Sequence, residues 1–209
     1  MRKVGIALII AILSLSACNN KTATTETIAT ETEAIETEVA EIESVEETTE
    51  TPSNDEYYTE LKNIAETVKG SLNSSYMIKP IKIGADSFEG LTGIKPNMYD
   101  AFYGEKSSVE NSIDTFIIVK TNSIDNFNEI KNLFNDYKVR LKQDSSLKDS
   151  LKLDKSQIGE YNNKYIVFSM LGAKSVSDFE EADSAKKEYA IINNNAINIV
   201  KEELNKIDK

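Results

Sequence analysis

The chain has 209 residues with 24 basic and 35 acidic side chains, a formal net charge of −11 and a sequence pI near 4.7. An acidic chain of this kind is no partner for nucleic acid. It has no histidine, no tryptophan and one cysteine, Cys18. That composition removes Ser-His-Asp and Cys-His nucleophilic sites, His- or Cys-rich zinc sites and disulfides.

The N-terminus carries a targeting pattern. Met1-Arg2-Lys3 supplies a positive start, Val4 to Leu13 an apolar run, and Leu15-Ser16-Ala17-Cys18 follows directly. This is a secretory signal ending in a bacterial lipobox, so residues 1–17 are expected to be removed and Cys18 to become the first mature residue. Diacylglycerol on its sulfur supplies two acyl chains, which give stable attachment where one chain is marginal. The apolar run is too short to span a bilayer, which needs about 20 residues. The expected location is the extracytoplasmic face of the cell membrane, with membrane lipid as partner through acylated Cys18.

Residues 18–54 read as lipidated cysteine and tether. Asn19 to Asn54 holds ten Glu, ten Thr, one Lys and no aromatic residue, a formal charge of −9. Such a segment cannot repay the entropy of ordering and is expected to be disordered. Its root-mean-square span is about 35 Å. Scattered single carboxylates make a poor metal cage. Residues 55–209 carry 21 basic and 25 acidic side chains, so the low pI belongs mostly to the tether.

Residues 55–209 suit a single domain. Ser53 and Glu56 form a capping box, and Tyr57, Leu61, Ile64, Ala65, Val68 and Leu72 follow at helical spacing. Ile78 to Ile83 alternates around Pro80, as an edge strand can. Gly84, Gly90 and Gly93 read as loop punctuation. Asn97 to Tyr103 is expected to form one or two helical turns closed by Gly104. Ser112 to Lys120 is the clearest strand, with Ile117 and Val119 on one face and Phe116 and Ile118 on the other. Apolar on both faces, it should be central. A long helix is expected from Ile124 to Gln143, capped by Asn122 or Ser123.

Asp144 to Lys155 is polar, with a short helix at most. Ile158 to Leu171 reads as a hairpin turning on Asn162-Asn163, residues that tolerate positive φ. A last long helix is expected from Ser177, capped toward Glu180, with a break near Asp183-Ser184. A few strands and three long amphipathic helices predict an α+β two-layer sandwich, a small, mostly antiparallel sheet packed by helices.

The strand Thr115 to Lys120, the helix ending Arg140-Leu141-Lys142-Gln143 and the strand Asn163-Lys164-Tyr165-Ile166-Val167 form a pattern. Together with the lipobox and acidic tether, it resembles an uncharacterised lipoprotein family of clostridial-type Gram-positive bacteria, catalogued as a domain of unknown function. The resemblance spans about half of the domain. Asp114 stands where that family carries an acid ahead of the strand, whereas its Tyr-Pro pair after the helix has no counterpart here. The shared motifs are structural and carry over no functional residue.

No phosphate-binding or nucleophile-elbow motif occurs. Asp154 to Gly159 opens like a calcium loop but fails at Ile158 and again at Tyr165, which stands in place of the bidentate glutamate. Ser145 and Lys148 match S-x-x-K without its partner motifs. No catalytic residue, metal or cofactor is expected. The expected role is a non-catalytic binding module at the envelope, its partner an envelope protein or wall component. Tyr99, Phe102, Tyr103 and Tyr161 are the candidate binding surface. The alternatives are a carboxylate-dependent enzyme acting on wall or glycan, which predicts two acids in a cleft with one pKa raised, and a small solute-binding lipoprotein.

Overall fold

A computed structural model describes residues 55–144, 146–147 and 150–207. The signal segment, Cys18, the tether and the Ser145–Lys148 pair lie outside the described residues.

The first helix, α1, is Asp55–Leu72, burying Leu61, Ile64, Ala65 and Val68 at the expected spacing. Asp55 and Glu56 sit in its first turn and Lys69 in its last, as the helix dipole favours. Pro80–Lys82 forms the edge strand β1. The glycine-punctuated loop is instead a helix, α2, Ala85–Thr92. Gly84 and Gly93 bracket it, and Gly93 closes it in the left-handed conformation at φ 81°. Phe88 drives the folding of this short segment, stacking on Phe102 with ring centroids 4.0 Å apart.

The helical turns expected at Asn97 to Tyr103 are not formed. One 3-10 turn, Pro96–Met98, leads into strand β2, Tyr99–Ser107. The reason for the difference is a bulge. The register of β2 shifts between Tyr99 and Ala101, so Tyr99 and Phe102 share a face while Ala101 and Tyr103 take the other. A three-residue repeat on one face looks helical in sequence.

Strand β3 is Thr115–Thr121, and α3 is Ile124–Gln143 with Ser123 as N-cap accepting from the Asn126 N–H. A one-turn helix α4, Leu151–Asp154, precedes β4, Gln157–Tyr161, and β5, Tyr165–Met170. Asn162 and Asn163 make the hairpin turn at φ 50° and 53°. The last helix, α5, is Ala182–Ile207. It starts later than Ser177, because Ser175 and Asp178 cap a separate 3-10 turn, Val176–Asp178. Phe179 then turns onto the Tyr189 ring at 5.8 Å.

The sheet order is β1-β2-β3-β5-β4, antiparallel throughout, with β3 central as expected. This is an α+β sandwich, an antiparallel sheet packed by long amphipathic helices. The helices divide between its faces. Phe116 and Ile118 pack with α1 and α5, while Ile117 and Val119 pack with α2, α3 and Leu153. A central strand apolar on both sides needs cover on both. Among the described residues, no helix is long and apolar enough to cross a membrane.

Candidate functional site

Strand β3 begins and strand β5 ends at the same edge of the fold, beside the start of α5. A cavity of about 430 Å³ opens there, with Ile78, Val109, Ile113 and Val176 among its walls. Its polar element is an ion pair. Asp114 precedes β3 and is 3% exposed, and Lys152 on α4 is 12% exposed. The Lys152 Nζ donates to Asp114 Oδ1 at 2.8 Å, and the Ser112 hydroxyl donates to Oδ2 at 2.8 Å. The Gly172 N–H also donates to this carboxylate. Burial pushes the Asp114 carboxyl above its ordinary range, although Lys152, Ser112 and Gly172 pull against it.

Gly172 and Tyr189 belong to the same construction. Gly172 sits at φ 154°, and a Cβ there would lie 2.6 Å from the Tyr189 ring. Only glycine lets the chain leave β5, offer its N–H to Asp114 and pass Tyr189 so closely. The Tyr189 hydroxyl donates to the Lys174 carbonyl at 3.0 Å, and its ring centroid lies 5.6 Å from the Lys152 Nζ. Burial, with Asp114, Asp178 and Glu188 nearby, pushes the Tyr189 hydroxyl up to about 12. An adjoining cleft of about 440 Å³ shares Ile78, Ala173, Lys174 and Tyr189 with the cavity.

A second polar cluster lies under α1. Glu105 is buried, and its Oε1 accepts from the Tyr103 hydroxyl and from Lys69 Nζ, each at 2.9 Å. Glu105 Oε2 and the Tyr76 hydroxyl are buried without a well-formed hydrogen bond, although each feels the other's field. Burial and then Glu105 raise Tyr76 far above the ordinary tyrosine range. Lys69 is lowered by burial, but Glu105 and Glu66 outweigh that and raise it. Glu105, Tyr76, Tyr103 and Lys69 line neither that cavity nor the adjoining cleft.

The tyrosine surface expected from the sequence is not there. Tyr99, Phe102 and Tyr103 are 4%, 3% and 5% exposed. Tyr99 and Phe102 pack with Phe88 under α2, whereas Tyr103 points to the α1 side. Tyr161 is half-buried at the hairpin and donates to Asn205 at 2.9 Å. Two of the four serve one face of the sheet and two the other, so they share no surface. Of the residues that do meet, Asp114 is visible in sequence as an acid just ahead of an apolar strand. Lys152 and Gly172 give no local signal, because only the tertiary fold brings them to it.

Asp154, first residue of the calcium-like run, ends α4 and pairs with Lys142 at 2.9 Å, so the run is a turn into the hairpin. Among the described residues, no group of three His, Cys, Asp or Glu is placed to hold a metal. A third cleft, about 530 Å³, lies at the other end of the sheet, between Tyr57, Glu60, Lys120, Lys164, Tyr165 and Ile207 among others.

No curated protein and no solved structure matches the chain. A family model does match, from the turn after α1 to the residue just after β5. It takes in all five strands, α2 to α4, Asp114 and Lys152, and leaves α1 and α5 outside. The family model that matches residues 73–171 is described as Domain of unknown function (DUF4358).

Proposed function

We propose that this protein is a lipid-anchored extracytoplasmic lipoprotein of a clostridial-type Gram-positive envelope, and that its folded part is a non-catalytic binding module. The lipobox ending at Cys18 supports the anchoring, with membrane lipid as the partner through the acylated sulfur. The cavity above the Asp114–Lys152 pair carries the binding reading. It has the size of a small-molecule site and sets an aliphatic patch, Ile78, Val109, Ile113 and Val176, beside polar groups that include Lys152. An exposed segment of an envelope protein or a wall component is the macromolecular partner class such a mouth would serve.

One observation speaks for an enzyme. Asp114 is a carboxyl raised by burial, as a general acid must be, and Glu110 lies on the same cavity rim. Against this, both Asp114 oxygens are already held, by Lys152 and Ser112. Binding is the better reading.

The test has two parts. Cells fed an alkyne-bearing palmitate should label the native protein, and Cys18→Ala should abolish the label and release the protein from the membrane fraction. Envelope fragments should then bind the native chain and not a Val176→Asp chain, whose cavity wall is charged. Label retained in Cys18→Ala sinks the anchoring, and glycan or peptide turnover lost in Asp114→Asn sinks the non-catalytic reading.

A further inference from the structure

The Asp114–Lys152 pair is lopsided in what it leaves unfilled. The carboxylate accepts from Lys152, from the Ser112 hydroxyl and from the Gly172 N–H. Its acceptor capacity is largely used. An ammonium has three donors. Among the described residues, Lys152 Nζ makes one hydrogen bond, to Asp114 Oδ1. The polar capacity that the pair leaves over is therefore donor capacity, and it is charged; the exposed Glu110 carboxylate on the rim is the competing acceptor. Lys152 is also the more exposed member of the pair, at 12% against 3%, so of the two it offers a ligand in the cavity the more open group.

The walls set the other half of the chemistry. Ile78, Val109 and Val176 are exposed large aliphatics, and all three line this one cavity. The half-buried Ile113 joins them. Exposed apolar side chains scattered singly need no explanation, but several gathered around one concavity do. Resting on the reading of this cavity as a binding site, we infer that it takes an aliphatic carboxylate, with the carboxylate on Lys152 and the hydrocarbon against Ile78, Val109, Ile113 and Val176. A charge-assisted hydrogen bond is roughly twice as strong as a neutral one, which favours the anion over an amide of the same length. Asp114 opposes the anion, but its charge is already offset by Lys152, Ser112 and Gly172.

Methyl NMR on the full chain carrying Cys18→Ala tests this with three probes of one length: octanoate, octanamide and octylamine. Octanoate should shift the methyl signals of Ile78, Val109, Ile113 and Val176 at least tenfold more tightly than octanamide, with octylamine weakest. Lys152→Met alone strands a buried carboxylate and can unfold the chain, so the informative variant is the pair Asp114→Asn with Lys152→Met. The same spectrum reports its folding. It should lose the preference for octanoate over octanamide while keeping contact with the walls. An octanoate preference that survives in the paired variant overturns the assignment, as does tightest binding of octylamine. Equal binding of all three overturns the anion contact and leaves the cavity a binding site. Methyl signals unmoved by any probe overturn the binding reading of the cavity itself.

Discussion

Asn193 is fully buried on α5 and gives three of its four hydrogen bonds to the end of β5. Its Oδ1 accepts from the Ser169 hydroxyl at 2.7 Å and the Leu171 N–H at 2.9 Å. Its Nδ2 donates to the carbonyls of Leu171 and Tyr189 at 3.1 and 2.7 Å. Leu171 lies beyond the last ladder pair of β5, so this side chain stands in for a strand partner. Asn193→Ala would orphan buried backbone groups and should lower unfolding free energy by about 2–4 kcal/mol in a urea titration. In sequence Asn193 is a polar residue on an apolar stripe, and nothing local says which strand end it serves. The Asp114–Lys152 pair behaves differently. Either single replacement strands a buried charge and should cost about 3–5 kcal/mol, while Asn and Met together should come close to native stability. The pH dependence follows from the raised Asp114. Its folded carboxyl binds a proton more readily than its unfolded one, so its contribution to stability is full below the unfolded pKa and lost as pH rises through the folded value. Relative to the paired variant, the native chain should therefore lose urea resistance as pH climbs from about 4.

At the scale of elements, what was legible depended on whether the local pattern and the tertiary role agreed. α3 was readable end to end because Ser123, a buried stripe and a basic last turn all point the same way. The hairpin was readable from Asn162-Asn163 alone. Both residues hold positive φ, which β-branched side chains resist. Asn163→Gly should leave stability unchanged or slightly raised, and Asn163→Val should lower it by about 1–2 kcal/mol, both measured by thermal melting. α2 was hidden because Gly84 and Gly93 mark its cap positions, Gly90 lies inside it, and Phe88 packs on Phe102, a contact across sequence. β2 was hidden by its own bulge. Gly159 shows a further constraint that no local pattern carries. A Cβ at that position in β4 would come within 2.6 Å of Ile197 on α5. Gly159→Ala should push the body of α5 outward and cost about 1–3 kcal/mol, with Ile197→Val recovering part of the loss.

At the scale of the molecule, the two ends of the sheet differ in kind. β3 spans seven residues, about 23 Å of strand. At its start lies the aliphatic cavity; beyond its end lies the polar cleft between Lys120, Lys164 and the first turns of α1. The chain enters the domain at Asp55, at the polar end. If Cys18 is acylated, the chain from the anchor joins the domain at that end, and the cavity lies at the other end of the sheet. Cysteine accessibility checks this, since an acylated Cys18 leaves no native thiol to react. Val109→Cys reports the cavity end and Lys164→Cys the entry end, both exposed. In the membrane-bound native chain, a tether of about 35 Å should let a polymer-linked maleimide reach both at similar rates. Deleting Thr22 to Glu47 brings the entry end against the lipid headgroups, so labelling at Lys164→Cys should drop several-fold while labelling at Val109→Cys holds. An equal drop at both positions would mean that the cavity does not face away from the membrane.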